Sequence, residues 1–136
     1  MNRRVSRILA MFSLFENSFN ANLSVIDFLD EVNEPYDEEY YHLLVKTVLQ
    51  NLSDIDYLIA KNLDNYSIDR LNLVDLNINR IAVCEFKYLD VPYQVAIDEA
   101  VEISKEYSET EIDHTHKFNN KLLDKIVKDL GLWIRL

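Results

Sequence analysis

Three arginines crowd the start of this chain, and a short segment near its end holds the other residues suited to a nucleic acid. Arg3, Arg4 and Arg7 stand at i, i+1 and i+4, which puts them on one side of a helix. The apolar Val5, Ile8, Leu9, Phe12, Phe15 and Phe19 fall on another side. Residues 1–7 contain no acid and carry +3; in residues 8–136 the remaining 11 of the 14 Lys and Arg meet 24 acids, a balance of −13. A basic edge on an acidic body is an electrostatic footprint for a polyanion, and a solvated helix terminus is the plainer alternative. Near the other end, Lys117 can meet a phosphate. An exposed Phe118 can stack on an unpaired base, worth roughly 1–3 kcal/mol. The Asn120 amide can read base edges or cap a helix. Phe118 also begins an apolar stripe, so core packing is its competing fate.

Catalytic groupings are harder to find. Asp113-His114-Thr115-His116 is the nearest approach to a metal cluster, but a structural zinc site usually takes four ligands. Cys84 lies within a helical pattern with no histidine at a useful spacing, and buried helical cysteines are usually inert. The only glycine is Gly131, so no glycine-rich phosphate loop exists. These residues point away from an enzyme and imply neither a metal nor another cofactor. Glu85 is physically odd, because its spacing from Ile81 and Leu89 puts it on or beside an apolar stripe. A carboxylate there needs a partner, since burying it unpaired is costly.

The elements that position these groups read as helices throughout. One Gly and two Pro disfavour a fold with many hairpins. Asn2 can cap a helix to about Phe19; Ser24 opens a short one to Val32; Asp37 starts a third, with Tyr40, Tyr41, Leu44, Val45, Val48 and Leu52 on its inner side. Ser53 with Asp56 marks a fourth, and residues 65–74 form a connector with a short helical turn. Asp75 is the expected cap of the fifth helix, Asp90 with Pro92 of the sixth and Thr115 of the seventh, which Gly131 ends as a left-handed cap. The 136 residues suit one domain, 1–136, with a break near 50–54 that separates three helices in 1–52 from four in 53–136. Residues 1–15 resemble a secretory signal, with a basic head and an apolar run, but the run is short and Glu16 follows without a small-residue cleavage site. No stretch is long and apolar enough to span a membrane. A single cysteine fits a reducing compartment, and the expected location is cytoplasmic.

Three segments carry a family resemblance. N-R-I-A-V-C-E-F (79–86), V-P-Y-Q-V-A-I-D-E-A-V-E-I-S-K (91–105) and H-K-F-N-N-K-L-L-D-K-I (116–126) resemble, in order and spacing, the C-terminal half of the NusB family of bacterial transcription antitermination factors. Arg7-x-x-Ala10-x-x-x-Leu14-Phe15 is similar to the family's opening R-x-x-A-x-x-x-L-Y, with Phe15 in place of tyrosine. Residues 16–65 match in helix pattern only. The resemblance implies an all-α fold of about seven helices in two small bundles packed across each other. It implies RNA binding by Arg3, Arg4, Arg7, Lys117, Phe118 and Asn120, and a partner surface near Phe15, Arg80 and Glu85. For Arg80 and Glu85 internal ion pairs are the competing reading. Asp98 stands where the family has asparagine, Asn119 where it has an apolar residue, and Lys121 where it has glycine.

The same resemblance implies a function by binding alone. The protein would join NusE, a ribosomal protein, on boxA-type RNA of ribosomal RNA leader transcripts, within an RNA polymerase antitermination complex. A homodimer that hides the RNA face is a further expectation for the free state. The rival reading is a helical interaction or ribosome-biogenesis module without direct RNA binding, motivated by the acidic body and the altered K-F-N-N-K segment.

Overall fold

The computed structural model describes residues 3–19, 34–64 and 67–132. Those residues form six α-helices and one 3-10 turn: α1 (Arg3–Phe19), α2 (Glu38–Gln50), α3 (Leu52–Lys61), the turn Ile68–Arg70, α4 (Leu73–Tyr88), α5 (Tyr93–Tyr107) and α6 (Thr115–Asp129). No strand occurs among them, so the fold is all-α as the periodicity predicts. The expected cap Asn2 and the helix expected from Ser24 to Val32 lie outside the described residues.

The organising element is α4. It packs against α1, α2, α3, α5 and α6, and everything from Asp75 to Phe86 is buried except Arg80. A helix buried on all sides must satisfy its polar groups internally. Four polar residues of α4, Asp75, Asn77, Asn79 and Glu85, therefore define much of the internal hydrogen bonding. Leu9, Met11 and Leu14 of α1, Tyr41, Leu44 and Val48 of α2, Ile55 and Ile59 of α3, Ile97 and Ile103 of α5, and Leu122, Leu123 and Ile126 of α6 close the core around it. The apolar stripes read from sequence supply these contacts.

Helix ends depart from the sequence expectations in an instructive way. Asp37 caps α2 as predicted, its carboxylate accepting from the Tyr40 N–H at 3.0 Å. Ser6 Oγ then pins that cap to α1, donating to the Asp37 carbonyl at 2.8 Å and accepting from its N–H at 2.9 Å. The cap of α4 is Asn72, accepting from the Val74 N–H at 2.8 Å, and Asp75 sits inside the first turn. α3 and α6 begin one residue after Asn51 and His114, neither of which makes a side-chain cap bond, so Ser53 and Thr115 lie within the helices. Asp90 does not cap α5 either. It has φ 56°, and the Val91 N–H closes on the Glu85 carbonyl at 3.1 Å, so Asp90 is the left-handed terminator of α4. Pro92 takes the cap position of α5. Gly131 has φ 72°, in agreement with its expected left-handed role after α6.

Candidate nucleic-acid interface

The arginine edge is less free than its sequence suggests. Arg7 is only 5% exposed and Glu85 1%. Arg7 Nε donates to both Glu85 oxygens, at 3.0 and 2.9 Å, and Nη1 donates to Glu99 Oε1 at 3.2 Å. The Tyr40 hydroxyl donates to Glu85 as well. Arg4 binds Glu99 through two donors, Nε at 2.9 Å and Nη2 at 2.7 Å. Helices α1, α2, α4 and α5 are thus joined by one ionic network. Burial pushes the Glu85 carboxyl up from its ordinary range, against the pull of Arg7 and Tyr40. The hydrogen bond from Arg4 holds the Glu99 carboxyl below its ordinary range. Burial beside Glu85 also raises the Tyr40 phenol.

The expected free cation at Arg7 is therefore corrected: its guanidinium is committed to the interior, and a buried guanidinium cannot meet a phosphate without breaking that pair. Glu85 likewise has no surface to offer a partner. The internal ion pair, left open by the sequence, is what the carboxylate makes. Arg3 and Arg4 remain on the surface. Arg3 lies 4.1 Å from the Tyr40 ring centroid and 3.9 Å from Asp37. Arg4 keeps an exposed side chain while bound to Glu99.

Arg80 is also engaged internally. It forks onto Asp56 of α3 with two bonds of 2.8 Å and donates to Asn77 at 2.9 Å. That geometry braces α4 on α3. Phe15 is half-buried on α1.

Lys117 and Asn120 are exposed on the first turns of α6, and Phe118 is half-buried against the core. The structure does not bring this group beside the arginines. Arg4 meets Glu99 of α5, whereas Phe12 meets Tyr107, with ring centroids 5.3 Å apart. Those contacts are eight residues apart on both helices, about 12 Å at 1.5 Å per residue. α6 then starts from the Tyr107 end, where Ser108 Oγ and Thr115 Oγ1 are 2.6 Å apart.

Sequence reasoning missed the role of Asn119. It is fully buried, donates to Asp75 Oδ1 and Ser104 Oγ at 2.9 Å each, and accepts from Asn79 Nδ2 at 2.9 Å. One amide knits α4, α5 and α6 together directly beneath Lys117, Phe118 and Asn120. Its spacing from Leu122, Leu123 and Ile126, at i+3, i+4 and i+7, was the available signal, because that register turns it inward. The Asp113–His116 loop resolves into a local pairing: His116 bonds Glu109, and His114 Nδ1 lies 4.0 Å from the same carboxylate. Cys84 is buried, and burial pushes its thiol up to about 12, which keeps it protonated. Among the described residues, no helix is long and apolar enough to cross a membrane.

Comparison with known proteins agrees with this architecture. The model of the NusB family matches residues 4–128. The transcription antitermination protein NusB of Listeria innocua is 39% identical over 130 residues, covering 95% of this chain and 98% of that protein. The protein of the same description from Ligilactobacillus salivarius is 39% identical over 132 residues, covering 93% and 98%. Among solved structures, T. maritima NusB is similar with a TM-score of 0.78 and 35% identity, over 95% of this chain and 92% of that one. A chain in a structure described as a plectonemic RNA supercoil has a TM-score of 0.80 at 28% identity, over 93% and 94%. From the arginine-headed first helix to the last, the chain belongs to the NusB family.

Proposed function

We propose that the protein is a transcription antitermination factor that acts by binding boxA-type RNA together with the ribosomal protein NusE. It would do so in the cytoplasm, as part of an antitermination complex with RNA polymerase. The observation that carries this reading is the family match across nearly the whole chain, with relatives named for antitermination. Charge supports the division of labour. Outside its first seven residues the chain carries −13, which disfavours a polyanion and favours a basic partner. Sequestration of Arg7 leaves only Arg3 and Arg4 of the three arginines for phosphates, so the free protein has few counterions to release there. Docking a basic ribosomal protein beside that edge extends the cationic surface and holds both proteins on one RNA. Arg3, Arg4, Lys117, Phe118 and Asn120 are the proposed RNA contacts.

Titration of labelled boxA-like RNA with this protein, with the ribosomal partner and with the pair tests the reading. The pair is expected to bind far more tightly than either protein. A stable complex with the ribosomal partner that gains no RNA affinity would favour the rival reading, an interaction module without direct RNA binding.

A further inference from the structure

We propose that α6 carries an additional track for single-stranded RNA, in which phosphates follow Lys117, Lys121 and Lys128 and one base enters the cleft beside them. This rests on the RNA-binding reading and extends it beyond the first turns of α6. At 100° per residue the three lysines fall within a 40° arc of the helix, and they span about 6 and then about 10 Å along it. All three are exposed, and Lys121 shares the field of Asp64 with Lys125. Lys121 is the residue at which this chain departs from the family's glycine.

The surroundings suit a strand of RNA. A cavity of about 150 Å³ shares Lys121 with the row; its lining combines apolar Leu63, Phe118 and Leu122 with polar Lys121, Lys125, Asn62 and Asp64. That is below the roughly 300–1,000 Å³ of a drug-sized pocket and suits one planar ring. A cation row beside an apolar slot matches the alternation of phosphate and base along a single strand. A purely acidic chain such as oligoglutamate would satisfy the lysines and leave the slot unfilled. Nearby acids are largely spoken for: Asp64 is held by Lys125 at 2.7 Å, and Asp129 by Lys61 at 3.2 Å and Asn62 at 3.1 Å. Asp124 is the exception. It is exposed about 20° outside the lysine arc, near enough to oppose a phosphate.

Two opposite substitutions test the track. Fluorescein-labelled 12-nucleotide oligouridylate is titrated at several salt concentrations into the wild type, Lys121→Ala/Lys128→Ala, Asp124→Asn and Arg3→Ala/Arg4→Ala. These positions are exposed, and circular dichroism checks that helicity is kept. Loss of two phosphate contacts is expected to flatten the salt slope by about 1.4 in the lysine variant, and Asp124→Asn is expected to tighten binding. Inorganic polyphosphate of matched charge should bind more weakly than the RNA, because it has no base for the cleft. Polyphosphate binding as tightly as the RNA, or oligoglutamate displacing the RNA at matched charge, overturns the proposal. So does an unchanged slope in the lysine variant. If only the arginine variant loses affinity, the track fails and the RNA-binding reading stands. No binding of RNA at low salt, and none with the ribosomal partner present, defeats both.

Discussion

Arg7 and Glu85, 78 residues apart in the chain, form a buried pair in which one guanidinium nitrogen bonds both carboxylate oxygens. Sequence places the arginine on a basic surface and the glutamate on an apolar stripe; the fold resolves both oddities in one contact. Removing one partner leaves an uncompensated charge in the interior, which costs about 3–5 kcal/mol. Arg7→Ala is expected to lower the urea midpoint accordingly. Arg7→Met combined with Glu85→Leu should recover much of that loss. A double variant as unstable as the sum of its single changes would contradict the pairing.

Asn119 is expected to matter more to stability than a loop-proximal asparagine normally would. Asn119→Val restores the apolar residue type of the family but strips Asp75 and Ser104 of a donor. Leaving a buried acceptor unsatisfied costs about 1–3 kcal/mol, more for a charged group. Chemical denaturation should show a loss in that range, reduced when Asp75→Asn is added. An unchanged midpoint for Asn119→Val would show that the amide carries no net stability.

Asp90 adopts a backbone conformation that favours glycine. Asp90→Gly is expected to be neutral or stabilising, by up to about 1 kcal/mol, as the αL strain and the entropy cost of glycine nearly offset. Asp90→Val should destabilise by more than about 1 kcal/mol, since a β-branched residue tolerates positive φ poorly. Thermal melts of the two variants should move apart; equal melting temperatures would contradict the left-handed terminator.

Acid should weaken the Glu99 link specifically. Its folded-state pKa is depressed, first by the Arg4 hydrogen bond, so the unfolded chain takes up the proton more readily. The stability it contributes is present above the ordinary glutamate value, about 4.3, and is lost as pH falls through the lower folded value. Glu85 runs the other way. Its raised pKa makes its contribution present at acid pH and lost as pH rises through that value. The stability gap between the wild type and Glu99→Gln, followed by urea denaturation, should be constant near neutrality and shrink below about pH 4.3. A gap unchanged down to pH 3 would remove Glu99 from the linkage.

The helices were legible because their apolar residues keep a 3.6-residue period; the inward stripes of α2 and α6 recur almost residue for residue in the core. The central position of α4 was not. Its buried side carries Asp75, Asn77, Asn79 and Glu85; only Glu85 stood out on an apolar stripe, and the other three read as polar cap or surface residues until their partners are known. Those partners are distant: Tyr40 lies 45 residues from Glu85, and Asn119 lies 44 from Asp75. Cap positions slipped for a local reason. Asn72 and Asp75 are both competent acceptors three residues apart, and only the backbone path decides between them. The basic head was visible as charge. Its division into a buried Arg7 and exposed Arg3 and Arg4 depends on α4 and α5 reaching the same face.

The proposed function places RNA affinity in a complex of this protein with a basic ribosomal protein. Fluorescence titration of boxA-like RNA with the wild-type pair and with the pair carrying Arg3→Ala/Arg4→Ala measures it most directly. The wild-type pair should bind much more tightly than either protein alone, and the variant pair should lose affinity with a salt slope flatter by about 1.4. Equal RNA affinity for this protein alone and for the pair would contradict joint binding.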